Sequence, residues 1–502
     1  MLGLPQTNMA ANMLGSNAGQ DNTRPSMQSS GSLLDLMDSI RSTKCNSQKI
    51  SLVRKAITTT RGLDRELLRA SMQTTILAPL FNEVVQLAIP AEFKDRDHFL
   101  FEKEDFVLLT DQTELVLNFL HVMFEQCCRC SGTLDTKPVD ESLPLLVVVI
   151  SANIRNCLWS RDSVQKLTLL VLNQLRILYK VDSLSEMLLL DLKSKAREAT
   201  TATLLGRYLT VVKARLSLHN WQANPTFVES FYWMLTQMMK FPHLSEHLDA
   251  VLPPALLLVD SHVTEHKVMG IQCLQHIAAN VTNEELRWYG RADVVYTALQ
   301  QQIYSREPDI IKALHPALLI VLPIVDKDPA KPASPTTPKQ VDAILTIIIT
   351  SAVTENGIVL RRMYTACIAD FVLGLGVCSV RHLQRLVALI SDYLEVFDGP
   401  EEHARFNTLS ILKSLLRNAW LRIPYHSHAI LKSLLKLLQD VSCDRSSTPE
   451  SVKDRLKEEA VVCLNLLGEI CPDVQQCLQA LCETDKLSDL ARIVQSLLKR
   501  NV

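Results

Sequence analysis

From Ser32 onward the chain keeps one rhythm: apolar residues recur at three-and-four spacing and are interrupted by short polar or proline-containing breaks, the pattern of helices with one buried face. Leu115, Phe119, Val122 and Met123 make one such stripe, and Leu167, Leu170, Val171, Leu175 and Leu178 make another. In the second half the breaks become periodic. Helix-start signals at Val263, Pro308, Gly357, Pro400 and Pro449 are 45, 49, 43 and 49 residues apart, and each interval holds two apolar helical stretches. A two-helix unit of roughly 40 to 47 residues is the period of HEAT and armadillo arrays, where neighbouring pairs share a continuous core. The fold expected is therefore all-α, a HEAT/armadillo-like α-solenoid of stacked antiparallel helix pairs.

Three regions follow from this pattern. Residues 1–31 are rich in Asn, Ser, Gly, Gln and Met without periodicity and predict a disordered tail, because such a segment buries too little to offset the entropy of ordering. Residues 32–240 form an N-terminal helical region, and 241–502 the C-terminal repeats. Within the latter, residues 326–339 (DKDPAKPASPTTPK) read as a Pro-rich loop. Its Ser334-Pro335 and Thr337-Pro338 dipeptides are candidate proline-directed phosphorylation sites, where phosphate would add negative charge between repeats. Asp398-Gly399-Pro400-Glu401-Glu402 predicts a turn, then Pro at the first helical position and two acids in the first turn. Ser447-Thr448-Pro449-Glu450 repeats that logic with a hydroxyl placed to cap.

Composition narrows the picture. Fourteen glycines in 502 residues are too few for folds that spend glycine on phosphate loops and tight turns. With 52 basic and 54 acidic residues the protein has no net field to attract a polyanion, so nucleic acid is not an expected partner. The thirteen cysteines are scattered through apolar stretches, as Cys273, Cys367 and Cys463 illustrate, where a free thiol packs as a small hydrophobe. This suits a reducing compartment. The apolar stretches around Leu314–Val325 and Ile344–Ile349 are shorter than the ~20 residues of a membrane span, and no membrane association is expected.

No catalytic constellation emerges. Cys127-Cys128-Arg129-Cys130 with His121 lacks the second ligand pair that a zinc site needs. Cys471, Cys477 and Cys482 suit helix packing better than chelation. Gly374-Leu375-Gly376 lies between helices rather than between a strand and a helix, so it reads as a turn and not as a phosphate cradle. His276, His382 and His426 show no carboxylate partner in the sequence. No cofactor or metal is expected. Arg361-Arg362, Arg381-His382 and Lys413-Arg417 could align as a positive strip interleaved with Glu355, Asp392, Glu395, Glu401 and Glu402, which points to protein contact. Trp420 and Trp288-Tyr289 lie near helix ends, as interface anchors or as inter-repeat core. The candidate partner-binding residues are Arg361, Arg362, Arg381, Glu401, Glu402 and Trp420.

Particular stretches carry a resemblance. Leu360–Trp420, with its arginine pair, VRHLQRL run and YLEVFDGPEE segment, resembles the TEL-interacting proteins of the TTT co-chaperone complex. HLSEHLDAVLPPALLLVD (243–260), TEHKVMGIQCLQHIAANV (264–281) and TPESVKDRLKEEAVVCLNLL (448–467) are similar to the same family, so the resemblance spans about Pro225–Leu467. It implies a non-enzymatic α-solenoid subunit that binds the other TEL-interacting HEAT-repeat chain and the TEL subunit. Through them it would support maturation of phosphatidylinositol-kinase-like kinases, including TOR and the DNA-damage kinases, with the ninety-kilodalton heat-shock chaperone. The expected location is the cytoplasm, with the nucleus open as a second one. The alternatives are a HEAT-type transport or phosphatase scaffold and, in a different class, an enzyme with a novel site among the helices.

Overall fold

The computed structural model describes residues 28–61, 74–90, 101–129, 137–191, 203–326, 339–444 and 448–484. Of the tail expected over residues 1–31, positions 1–27 lie outside them while 28–31 open a helix; most of the Pro-rich loop with both Ser/Thr-Pro dipeptides, and Cys130, also lie outside. The longer helices are α1 (Gln28–Ser42), α2 (Asn46–Arg61), α3 (Thr74–Leu87), α4 (Val107–Arg129), α5 (Leu143–Ile154), α6 (Asp162–Tyr179), α7 (Leu204–Arg215), α8 (Pro225–Trp233), α9 (Leu248–Val259) and α10 (Thr264–Asn280). They continue as α11 (Arg291–Gln301), α12 (Pro308–Asp326), α13 (Gln340–Val353), α14 (Ile358–Leu375), α15 (Leu383–Glu395), α16 (His403–Asn418), α17 (Ser427–Cys443), α18 (Glu450–Ile470) and α19 (Pro472–Thr484). Among the described residues there is one isolated β-bridge, Asp191 with Thr203, and no strand.

The chain divides into two compact units. The first contains residues up to Ile89, Leu108–Leu143 and Arg161–Lys180; the second contains Pro90–Val107, Pro144–Ser160 and everything from Val181 on. The expected 240/241 division thus falls inside the second unit. In the first unit the Phe81 and Phe124 rings meet at 5.7 Å, and Lys49 pairs with Glu83 across α2 and α3. Val164, Thr168, Val171 and Leu175 form the buried face of α6, whereas Leu170 is exposed. Of the stripe read from the sequence only Val171 and Leu175 are buried, while Leu167 and Leu178 are half-buried, so the apolar run overstates that face.

In the second unit α5 is apolar all round, and Leu146, Val147, Val148, Val149, Ile150 and Ala152 are all buried, as befits a helix enclosed by others. From α10 the repeats are regular: α10, α12, α14, α16 and α18 begin 44, 50, 45 and 47 residues apart. These helices pack against one another as a first layer, and α9, α11, α13, α15 and α17 form the second. This is the HEAT-like solenoid that the spacing predicts. Polar contacts between neighbouring repeats recur at similar separations: Arg291 to Asp249 at 2.5 Å, Tyr296 to Gln340 at 2.9 Å, Tyr393 to the Ala352 carbonyl at 2.7 Å, and Ser433 to Ser391 at 2.9 Å.

Three local readings are corrected. Helix α16 starts at His403, not Pro400; Glu402 at its N-cap is left-handed (φ 56°), so the two acids precede the helix. The free first turn is instead satisfied from a distance, since Ala404 N–H donates to Asp398 Oδ2 at 2.7 Å. Pro449 occupies the N-cap of α18 without a side-chain cap bond. Helix α12 is a continuous 19-residue apolar helix, and the 38-residue Ile358–Glu395 stretch, which comprises α14, a 3-10 turn and α15, also contains a window as long and apolar as a membrane span, but 56% and 50% of these windows are buried inside the protein. Each is read as core of the array.

Gly270 on α10 faces α9 so closely that a Cβ there would lie 2.5 Å from Val259 N and 2.8 Å from Leu258 C. Since backbone cannot swing aside, Gly270→Ala should cost about 1–3 kcal/mol, read as a lower thermal midpoint by circular dichroism; an unchanged midpoint would contradict the packing. The buried His315 of α12 has its pKa pushed down to about 4 from 6.5 by desolvation. The unfolded chain therefore binds this proton first, and stability should fall between about pH 6.5 and pH 4, by at most ~1.4 kcal/mol per pH unit for this one group. His315→Gln should flatten that part of the urea-midpoint profile.

Candidate partner-binding surface

Among the described residues of the repeat region, two kinds of turn alternate along the chain and lie at opposite ends of the helix pairs. One end carries the turns from first to second layer, including residues 281–290, 376–382 and 419–426; the other carries the returns, including 302–307, 354–357 and 396–402. This alternation separates the residues proposed as one strip. Arg361 and Arg362 begin α14 at the return end, while Arg381, His382 and Arg417 lie at the other.

At the return end the arginines are engaged within the chain. The Arg362 guanidinium reaches Asp398 Oδ2 at 3.0 Å and Glu401 Oε2 at 3.0 Å, and it also donates to the Asp398 carbonyl. Gly399 adopts φ +82°, and a Cβ there would stand 3.4 Å from the guanidinium, so glycine serves both the turn and the approach. Asp398 thus links α14, the turn and the start of α16 through one buried carboxylate. Arg361 lies 3.6 Å above the Tyr393 ring. Glu402 is only 2% exposed and faces Arg405, 3.6 Å away; burial raises its pKa while Arg405 opposes the rise. A carboxylate so enclosed offers nothing to a partner, which removes Glu402 from the candidate contacts. Glu401 remains partly exposed beside Arg362.

At the other end Arg381 pairs with Asp342, and His382 Nε2 lies 2.9 Å from the same carboxylate. His382 therefore has the partner that the sequence did not reveal, because Asp342 comes from the preceding repeat. His276 instead contacts the Met239 carbonyl at 2.7 Å. Gly376 (φ +53°) ends α14 and opens a 3-10 turn, the inter-helix turn expected there. Buried thiols do not offer chemistry: desolvation pushes Cys463 up to about 12 and raises Cys273 and Cys367 well above the ordinary thiol range, leaving them protonated. Among the described residues, no three His, Cys, Asp or Glu side chains cluster in a metal-binding arrangement.

Trp420 is 55% exposed, and Trp288 and Tyr289 are 61% and 90% exposed, so none of the three is inter-repeat core. Leu421, Tyr425 and Val377 are exposed at the same end of the pairs and escaped the sequence reading, because a helical pattern cannot say which apolar residues of a turn face outward. Also unread was a buried hydroxyl chain in which Ser230 lies 2.7 Å from Ser151 and 2.8 Å from Tyr208. Beside it Arg155 pairs with Glu229 at 2.8 Å. Both tie α5 to α8. A shallow groove of about 390 Å³ runs between α9 and α11, past Leu256, Asp293, Val294 and Thr297.

Substituting Asp398→Ala would strand Arg362 and the first turn of α16 together. A loss of about 2–4 kcal/mol is expected in urea unfolding, against less than ~0.5 kcal/mol for Trp420→Ala. Equal effects would refute this division between internal and outward roles.

Comparison with known proteins finds relatives over about half of the chain. Over 266 residues the chain is 41% identical to TELO2-interacting protein 2 of Homo sapiens, and over 271 residues 38% identical to its counterpart in Mus musculus; in each case 52% of this chain and 52% of the relative are covered. The chain thus matches the curated relatives over about half their length. Among solved structures, importin beta aligns with TM-score 0.44 at 13% identity, over 94% of this chain and 63% of that one. An engineered protein aligns with TM-score 0.39 at 12% identity, over 94% and 98%. Residues 191–400 match the Tti2 family, and the chain therefore carries a Tti2-family region that runs from the bridge at Asp191 to the turn at Pro400.

Proposed function

We propose that this chain is a non-enzymatic adaptor of the TTT co-chaperone assembly. The observation that carries the proposal is the Tti2-family match over 191–400 together with relatives named for interacting with TELO2. The architecture is compatible with that role. A stacked array holds its turns on a rigid frame, and side chains held this way lose little freedom when a partner binds. On this reading the partners are the TEL subunit and the second TEL-interacting chain. The cellular consequence is support for the maturation and stability of phosphatidylinositol-kinase-like kinases.

Affinity purification of the tagged full chain, with bound proteins identified by mass spectrometry, tests this reading. Recovery of both other TTT subunits in near-equal amounts is expected, together with lower kinase levels when the chain is depleted. Recovery of the chain alone, or with transport receptors, would leave only the helical scaffold.

A further inference from the structure

We infer that the turn joining α16 to α17, with the neighbouring turn before α15, is a docking site for an acidic, apolar segment of a partner protein. The inference names the chemistry of a contact that the adaptor reading leaves open, and rests on that reading only in that another protein supplies the segment.

Charge is the first observation. The whole chain is nearly neutral, yet His403–Gln439 holds six Lys or Arg residues and no Asp or Glu. Some of these are neutralised by neighbours: Arg405 by Glu402, Lys413 by Glu459 and Lys436 by Glu395. Among the described residues Arg417 and Arg422 have no ion pair, and both are exposed. Glu469 and Asp473 beside the next turn bound the cationic stretch on one side.

Exposed apolar surface is the second observation, and it coincides with those two arginines. Trp420 is 55%, Leu421 68% and Tyr425 80% exposed, while Val377 in the adjoining turn is 70% exposed. Four large apolar side chains in two adjoining turns would favour leaving water if a partner covered them.

The third observation is that the turn is already ordered. Ala419 N–H donates to Leu415 O at 2.7 Å, Arg422 N–H to Ala419 O at 2.9 Å, and Ile423 N–H to Trp420 O at 3.3 Å. Ile423 is fully buried, and Pro424 fixes the start of the 3-10 turn that follows. Trp and Tyr on a fixed backbone are the side chains that most often dominate binding energy. Arginine at the rim favours carboxylates. A segment with glutamates or aspartates around a few apolar residues complements both features. Residues 485–502 of this chain do not fit that description, since Lys486, Arg492, Lys499 and Arg500 outnumber Asp485 and Asp489.

The test uses the purified full chain and a fluorescent peptide in which glutamates flank a Leu-Phe core, read by anisotropy. Comparison ligands are the same peptide with Gln for Glu, phosphatidylserine vesicles and a single-stranded DNA oligomer. The glutamate peptide should bind best, and binding should weaken as salt rises. Trp420→Ala and the Arg417→Glu/Arg422→Glu double variant should each weaken it about tenfold or more, with unchanged thermal midpoints. Phe397→Ala at the opposite end should have no effect. Equal binding of the Gln peptide, tighter binding to vesicles or DNA, or insensitivity to the substitutions would each overturn the inference. A chain that recovers the TTT subunits but ignores the peptide loses this inference alone. The reverse result would leave this inference standing without the TTT reading.

Discussion

No helix pair of the repeat region can bury its own apolar face, and this incompleteness governs the rest of the architecture. Helix α12 shows the constraint most clearly. Ile310, Ile311, Leu314, Leu318 and Val321 are all buried, against α10 on one side and α14 on the other. Each such aliphatic side chain contributes about 1.5–3 kcal/mol when fully enclosed, and only consecutive repeats supply the enclosure. Length along the array is thus a condition of stability rather than an ornament.

Polar contacts then decide how one pair sits on the next. Asp398 is the instructive example, because a single carboxylate accepts from Arg362 of α14 and from the first turn of α16. Asp342 repeats the idea one repeat earlier and in the second layer, where it receives both Arg381 and His382. Aliphatic packing by itself is tolerant of sliding, since one Leu replaces another at little cost. Directional bonds between fixed positions are not, and they hold the register of the stack.

The fold was legible in the sequence because its determinant is a period, and periods survive in one dimension: the helix starts expected at Val263, Pro308 and Gly357 fall within one residue of those observed. Capping was less legible. Pro400 and Glu401 have the composition of a first turn, but the N-cap was left to Glu402 in a left-handed conformation, because the helix is satisfied from Asp398 several residues upstream. The surface was least legible. Arg362 and Arg381 look alike as letters and lie at opposite ends of the pairs, and Trp420 acquires its meaning from Leu421 and Tyr425, which join it only through the turn. The family resemblance, by contrast, rests on side-chain identity rather than on period, and the family match at residues 191–400 takes in the stretches at 243–260 and 264–281 and most of that at 360–420.

The end of α12 shows how such an array can acquire new sequence. Asp326 accepts the backbone N–H groups of Gln340 and Val341 at 3.0 and 2.9 Å, so the two ends of the intervening segment are joined directly. Closing a longer loop costs only about 0.6 kcal/mol per doubling of its length. The clasp at Asp326 holds the end of α12 to the start of α13 whatever sequence lies between them. A junction closed in this way can accept an insertion while the repeats on either side keep their stacking.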